Sequence, residues 1–100
     1  MKSYINTSAA AELSLYAVND ARTYYGITNA VIENLRKKVA KDIYDDMKAV
    51  KAFEHVAQYA AKRYAYEFDD VRNWYKMFNA ATRRAAAEVI LDHYREQILA

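Results

Sequence analysis

From Asp45 to Phe68 apolar and polar residues alternate with an unbroken helical period, and neither Gly nor Pro interrupts it. This predicts one helix of roughly 36 Å. On a 3.6-residue turn Val50, Phe53, Ala57, Ala60, Ala61, Tyr64 and Phe68 share one side, the stripe of a helix that faces a core. The other side carries Lys48, Lys51, His55, Tyr59, Lys62 and Tyr66 at spacings of three, four and seven, a basic face with two aromatic rings turned to solvent.

The same period places three more helices around it. Residues 1–7 read as an arm, Thr7 or Ser8 as the cap of a first helix running to Tyr25, and Gly26 as its left-handed stop. Leu13, Tyr16, Ala17 and Tyr24 share its inner face, and Asp20 among them must find a donor, with a neighbouring Arg the expected anchor. Thr28 is the expected cap of a second helix, 29–41, with a Val31, Leu35 and Val39 stripe beside Ile32 and with Arg36, Lys37, Lys38 and Lys41 outside. Asp42 to Asp45 form a short connection with Ile43 and Tyr44 tucked inward, and Asp45 or Asp46 caps the central helix, 46–67. After Asp69 and Asp70 the segment around Trp74, Tyr75, Met77 and Phe78 is too apolar for a free linker and is expected to plug one end. Asn79 caps a last helix, 80–98, with Ala86, Val89, Ile90, Tyr94 and Ile98 facing inward. The expected fold is all-α, a compact four-helix bundle forming one domain over residues 1–100.

Composition sharpens this picture at a few points. A single Gly and no Pro leave little material for hairpin turns. Zero cysteines rules out thiol catalysis and Cys-ligated metals, and no segment reaches the roughly 20 apolar residues of a membrane span. The chain therefore reads as soluble and cytoplasmic. Fifteen basic against thirteen acidic residues gives +2, too balanced to imply nucleic acid by net charge and too positive for a DNA mimic. Ten tyrosines are a heavy load of a side chain that serves helix contacts and protein interfaces alike.

Catalytic chemistry finds little to build on. His55 and His93 stand on different helices without a carboxylate three residues earlier, so the Glu-x-x-His pairs of di-iron bundles are missing and no metal or cofactor is expected. Glu88, Asp92 and Glu96 form an acidic column that reads as a solvated face, and one Gly cannot build a phosphate loop or a nucleophile elbow. Arg83 and Arg84 stand in the first turns of the last helix, where the dipole disfavours cations. Their expected partners are Asp69 and Asp70 at the preceding corner, or a ligand or protein.

Asn34-Leu35, Lys38, Lys41 and Tyr44-Asp45, then Ala49-Val50-Lys51-Ala52-Phe53, Ala60-Ala61-Lys62-x-Tyr64 and the run from Ala81 to Glu88, resemble a group of small uncharacterised proteins of tailed bacteriophages over about Tyr16 to Ile98. Those proteins carry Gly where this chain has Asp42. The resemblance implies a setting, the cytoplasm of a host bacterium, and a stoichiometric binder of host machinery such as defence nucleases or CRISPR complexes. The expected function is therefore non-enzymatic: an inhibitor or adaptor that meets a host or phage protein through the face of Lys48, Lys51, His55, Tyr59, Lys62 and Tyr66. The alternatives are a nucleic-acid binder using that face plus Arg36, Lys37 and Lys38, and a homodimer that buries Tyr59 and Tyr66.

Overall fold

The computed structural model describes residues 5–68 and 71–100, and these are all-α. Helix α1 (Thr7–Asn19) is followed, after a break at Asp20, by α2 (Ala21–Thr23), a π-helical turn (Tyr24–Thr28) and α3 (Asn29–Ala40), and these last three continue one another without interruption. Helix α4 (Asp46–Phe68), a 3₁₀ turn (Val71–Asn73), α5 (Trp74–Met77) and α6 (Ala80–Leu99) complete the order. Among the described residues no strand occurs, and four of the helices are long.

The helix class is as expected, but the first boundary is not. Asn6 caps α1 in place of Thr7 or Ser8: its Oδ1 accepts from the Ala9 N–H at 3.0 Å. Its own N–H donates to Thr82 Oγ1 at 3.1 Å, which ties Asn6, expected in the arm, to α6; residues 1–4 of that arm lie outside the described residues. The helix then breaks at Asp20, six residues before the expected stop, because a carboxylate that can cap competes with the helix it stands in. Asp20 turns extended, with φ −88° and ψ 110°, and its Oδ2 accepts from the Thr23 N–H at 3.1 Å and the Thr23 hydroxyl at 2.7 Å.

Gly26 does not stop a helix at all. It lies inside the π turn with an ordinary negative φ. Its lack of a side chain serves a close approach: a Cβ there would sit 2.5 Å from the Tyr59 hydroxyl oxygen of α4. Thr28, the expected cap, is buried within the run and donates to the Thr23 carbonyl at 3.3 Å.

The true stop comes after α3. The Ile43 N–H donates to the Lys38 carbonyl at 2.9 Å and the Asp42 N–H to the Val39 carbonyl at 3.0 Å, the paired bonds of a Schellman motif. Asp42 holds the left-handed position with φ 59°. Glycine adopts that conformation without the Cβ penalty, so Asp42→Gly is expected to stabilise the fold by about 0.5–1 kcal/mol, a rise of a few degrees in Tm by thermal melting. An unchanged or lowered Tm would mean that the Asp42 side chain contributes more than its backbone strain costs. Asp45 caps α4 by accepting from the Met47 N–H at 2.9 Å. Ile43 is exposed, contrary to expectation, and Tyr44 is half-buried.

The core forms chiefly between α4 and α6, which make the broadest contact in the molecule, with α1 and α3 applied to α6. Val50, Phe53, Ala57, Ala60 and Ala61 are buried as predicted, joined by Ala49, Val56 and Ala65. Alanines from both helices, Ala86 and Ala87 on α6 included, let the backbones come close. The expected α4 stripe fails at its end, where Tyr64 is only half-buried and Phe68 stays 64% exposed. On α6 Val89 faces solvent while Leu91 is buried, because α6 touches α1, α3 and α4 and so needs a broad apolar arc rather than one stripe. On α3 the buried pair is Ile32 and Leu35, with Val31 and Val39 half-covered. Phe78 plugs the corner before α6, and Trp74 and Met77 lie half-buried beside it.

Candidate docking face of the central helix

All six side chains of the predicted basic face are exposed on α4: Lys48, Lys51, His55, Tyr59, Lys62 and Tyr66. Their common side follows from the period alone, since spacings of three, four and seven return to one face of a helix. Within that face the side chains differ in freedom. Tyr66 is 70% exposed, whereas Tyr59 is 36% exposed and lies over Gly26. The Lys62 ammonium stands 5.1 Å from the Trp74 ring centroid, a cation–π contact.

Two shallow grooves flank the face. Toward α3, Gly26, Ile27, Val31, Leu35 and Ala52 line one of about 270 Å³, with Lys38 and Lys48 also on its wall. Toward α6, Lys51, Glu54, His55, Gln58, Ala80 and Arg83 line one of about 290 Å³. Of the three α3 cations, then, the structure brings only Lys38 to this surface. Arg36 and Lys37 line a separate concavity with Glu33 and Ala40. Arg36 is also occupied, its Nη1 donating at 2.7 Å to the Gln97 carbonyl in the last turn of α6. There a cation satisfies a carbonyl that the helix itself leaves unpaired. The joint surface of Arg36 to Lys38 with the α4 stripe is thus split.

Arg83 and Arg84 find different holders. The Arg83 Nη1 donates to the Phe78 carbonyl at 2.6 Å and its guanidinium carbon stands 4.9 Å from the Trp74 ring centroid. Burial holds its pKa below the usual arginine value, against the opposing charge of Glu54. Arg84 pairs with Glu54 at 3.9 Å. Asp69 and Asp70, expected as their partners, lie outside the described residues.

Elsewhere the polar side chains hold helices together. Arg63, which periodicity alone did not single out, is the donor Asp20 required. Its Nε stands 3.2 Å from Asp20 Oδ2 and its Nη2 2.7 Å from Glu67 Oε1. The i, i+4 spacing of Arg63 and Glu67 was the one signal available for it. Burial works to raise the Asp20 pKa, but the bonds from Arg63 and Thr23 outweigh it and keep the carboxyl below its ordinary value. At the other end of α4, Asp46 accepts from Arg95 and from the Tyr44 hydroxyl, and these bonds lower its pKa. The Tyr64 hydroxyl donates to Glu12. Glu88, Asp92 and Glu96 are exposed, with Asp92 3.5 Å from Arg95. His93 is exposed and edge-on to Tyr94 at 4.8 Å. Among the described residues no group of three metal-ligating side chains comes together, and no helix is long and apolar enough to cross a membrane.

No family model, curated protein or solved structure matches this chain. What the α4 surface offers is donors and ring faces. That chemistry suits holding an acidic or anionic group.

Proposed function

We propose that this chain is a non-enzymatic binding module, a four-helix bundle whose α4 docks on an acidic patch of a protein. One observation carries the reading. Along α4 the inward side is filled by Ala49, Val50, Phe53, Val56, Ala57, Ala60, Ala61 and Ala65, while three lysines, His55 and two tyrosines stay exposed on the other side. Exposed tyrosines within a basic field are the type of group that anchors protein interfaces. The net charge of +2 is modest for a nucleic-acid binder, which favours a protein partner. Given the resemblance to phage proteins, the partner is host machinery in the bacterial cytoplasm, bound stoichiometrically by an inhibitor or adaptor.

Tyr59 packs on Gly26 and Lys62 on Trp74, so neither is a clean probe of the surface. The test is Lys48→Glu, Lys51→Glu and Tyr66→Ala combined, three exposed positions. The Tm is expected to stay within a few degrees, since surface changes away from special features each fall within about 0.5 kcal/mol. Quantitative affinity capture from bacterial cells, nuclease-treated and untreated, is expected to recover a protein with the native chain and lose it with the variant. An identical set of captured proteins would overturn the reading, and capture that nuclease abolishes would transfer the face to nucleic acid. Light scattering that shows a dimer disrupted by the same variant would assign it to self-association.

A further inference from the structure

The groove between α4 and the first turn of α6 has a composition that protein docking alone does not require. Arg83 is an arginine in the first turn of a long helix, the positive end of its dipole. Among the described residues no carboxylate lies within ion-pair distance of it. Instead the Phe78 carbonyl and the Trp74 ring hold it in place, so its geometry is set before any ligand arrives. Lys51, His55 and Gln58 come to the same groove from α4. Lys62, on the Trp74 ring, adds a further positive charge nearby. Glu54, the acid of the groove, pairs with Arg84 at 3.9 Å, and its charge also acts on Arg83, so an incoming anion competes with it for the guanidinium.

We infer that this groove is a seat for a phosphate monoester group, held by Arg83, Lys51, His55 and Gln58. A carboxylate offers two oxygens in one plane, which a single guanidinium edge already satisfies. Donors that approach from two helices match the three terminal oxygens and near-double charge of a monoester. Restricted side chains lose little freedom on binding, and the Trp74 and Phe78 contacts have already restricted Arg83. The seat shares Lys51 and His55 with the docking face but needs no protein partner.

The experiment is an amide NMR titration of the full chain at constant ionic strength. Three probes are compared: inorganic phosphate, a phosphoserine peptide and a thymidine dinucleotide, whose phosphate is a diester. Saturable shifts confined to Lys51, His55, Gln58 and the first turn of α6 are expected with the first two probes. Lys51→Glu, at an exposed position, is expected to weaken phosphate binding roughly tenfold, the worth of one charge-assisted bond. Arg83→Gln should weaken it at least as much. Because that change also removes the bond to Phe78, the exposed Lys51 variant keeps the test decisive if Arg83→Gln fails to fold. Tighter binding of the peptide than of free phosphate identifies a partner-borne group, and equal binding identifies a small phosphorylated compound; either upholds the seat. Weak shifts spread over all lysines, affinity unchanged by Lys51→Glu, or a dinucleotide that binds as well as phosphate would overturn it. Lys48→Glu with Tyr66→Ala, which the docking face needs, should leave phosphate affinity intact, so the two readings fail separately.

Discussion

Replacing Phe53 with alanine is expected to cost about 3–5 kcal/mol and to bring the chain close to unfolding at body temperature. Phe53 is fully buried where α4 crosses α6, and its ring stacks on Tyr94 with centroids 6.2 Å apart and planes 16° from parallel. The buried alanines of the same core, Ala49 and Ala57 on α4 and Ala86 and Ala87 on α6, leave the two helices little side-chain volume with which to collapse into the void. A site that cannot collapse pays the cavity cost as well as the lost transfer free energy. Phe68 occupies the same apolar stripe by sequence but is 64% exposed, and its ring contacts the rings of Tyr16 and Tyr64. Phe68→Ala should therefore cost no more than about 1 kcal/mol. Urea unfolding of the two variants separates them, and equal losses would mean that the packing along α4 differs from the one described.

Stability should fall steeply above pH 10. Tyr16 and Tyr44 are both pushed up to about 12 in the folded chain. For Tyr16 the cause is burial first and then the Asp20 charge, with Arg63 opposing. For Tyr44 it is burial and then the hydrogen bond its hydroxyl donates to Asp46. An unfolded tyrosine ionises near 10, so the folded state holds these protons more tightly. Their contribution is complete below pH 10 and is lost as pH rises through about 12, on the order of 2 kcal/mol for each ring. Helix content followed by circular dichroism should fall together with the last tyrosines to ionise.

Tyr16→Phe isolates one of the two. Among the described residues the Tyr16 hydroxyl is buried with no hydrogen-bond partner. Removing it should be neutral or stabilising by up to about 1 kcal/mol at pH 7, and it should remove the Tyr16 share of the alkaline loss, to which Tyr64 and Tyr94, also raised, contribute as well. Tyr44→Phe differs in sign at neutral pH, because it takes a bond from Asp46 and should cost about 1–2 kcal/mol. An alkaline profile unchanged by Tyr16→Phe, or helix loss complete below pH 10, would contradict the burial of that ring.

Much of this architecture was legible in the order of residues. The 3.6-residue period of α4 separates Val50, Phe53 and Ala57 from Lys48, Lys51 and His55 whatever the helix packs against. Asp45 and Asn79 cap the helices they were assigned to, because a short polar side chain beside a helical run meets that run's own N–H groups. These are local interactions, and their partners lie within a few residues.

What periodicity could not decide is everything that depends on distance through space. Gly26 carries the same local signature whether it ends a helix or makes room for a ring, and only Tyr59, thirty-odd residues away in the chain, distinguishes the two. Arg36, Lys37 and Lys38 are consecutive, yet the helical rotation between them leaves only Lys38 beside α4. Arg83 was recognisable as a cation in an unfavourable place, but the Phe78 carbonyl and Trp74 ring that hold it belong to a corner no pattern describes. The residues alone determined which segments are helical and which side of α4 is basic, since backbone hydrogen bonding and side-chain period act within a turn or two. How far round α6 its buried arc extends, and which charges meet, only the tertiary structure decided, because those choices depend on how α6 is shared among three neighbours.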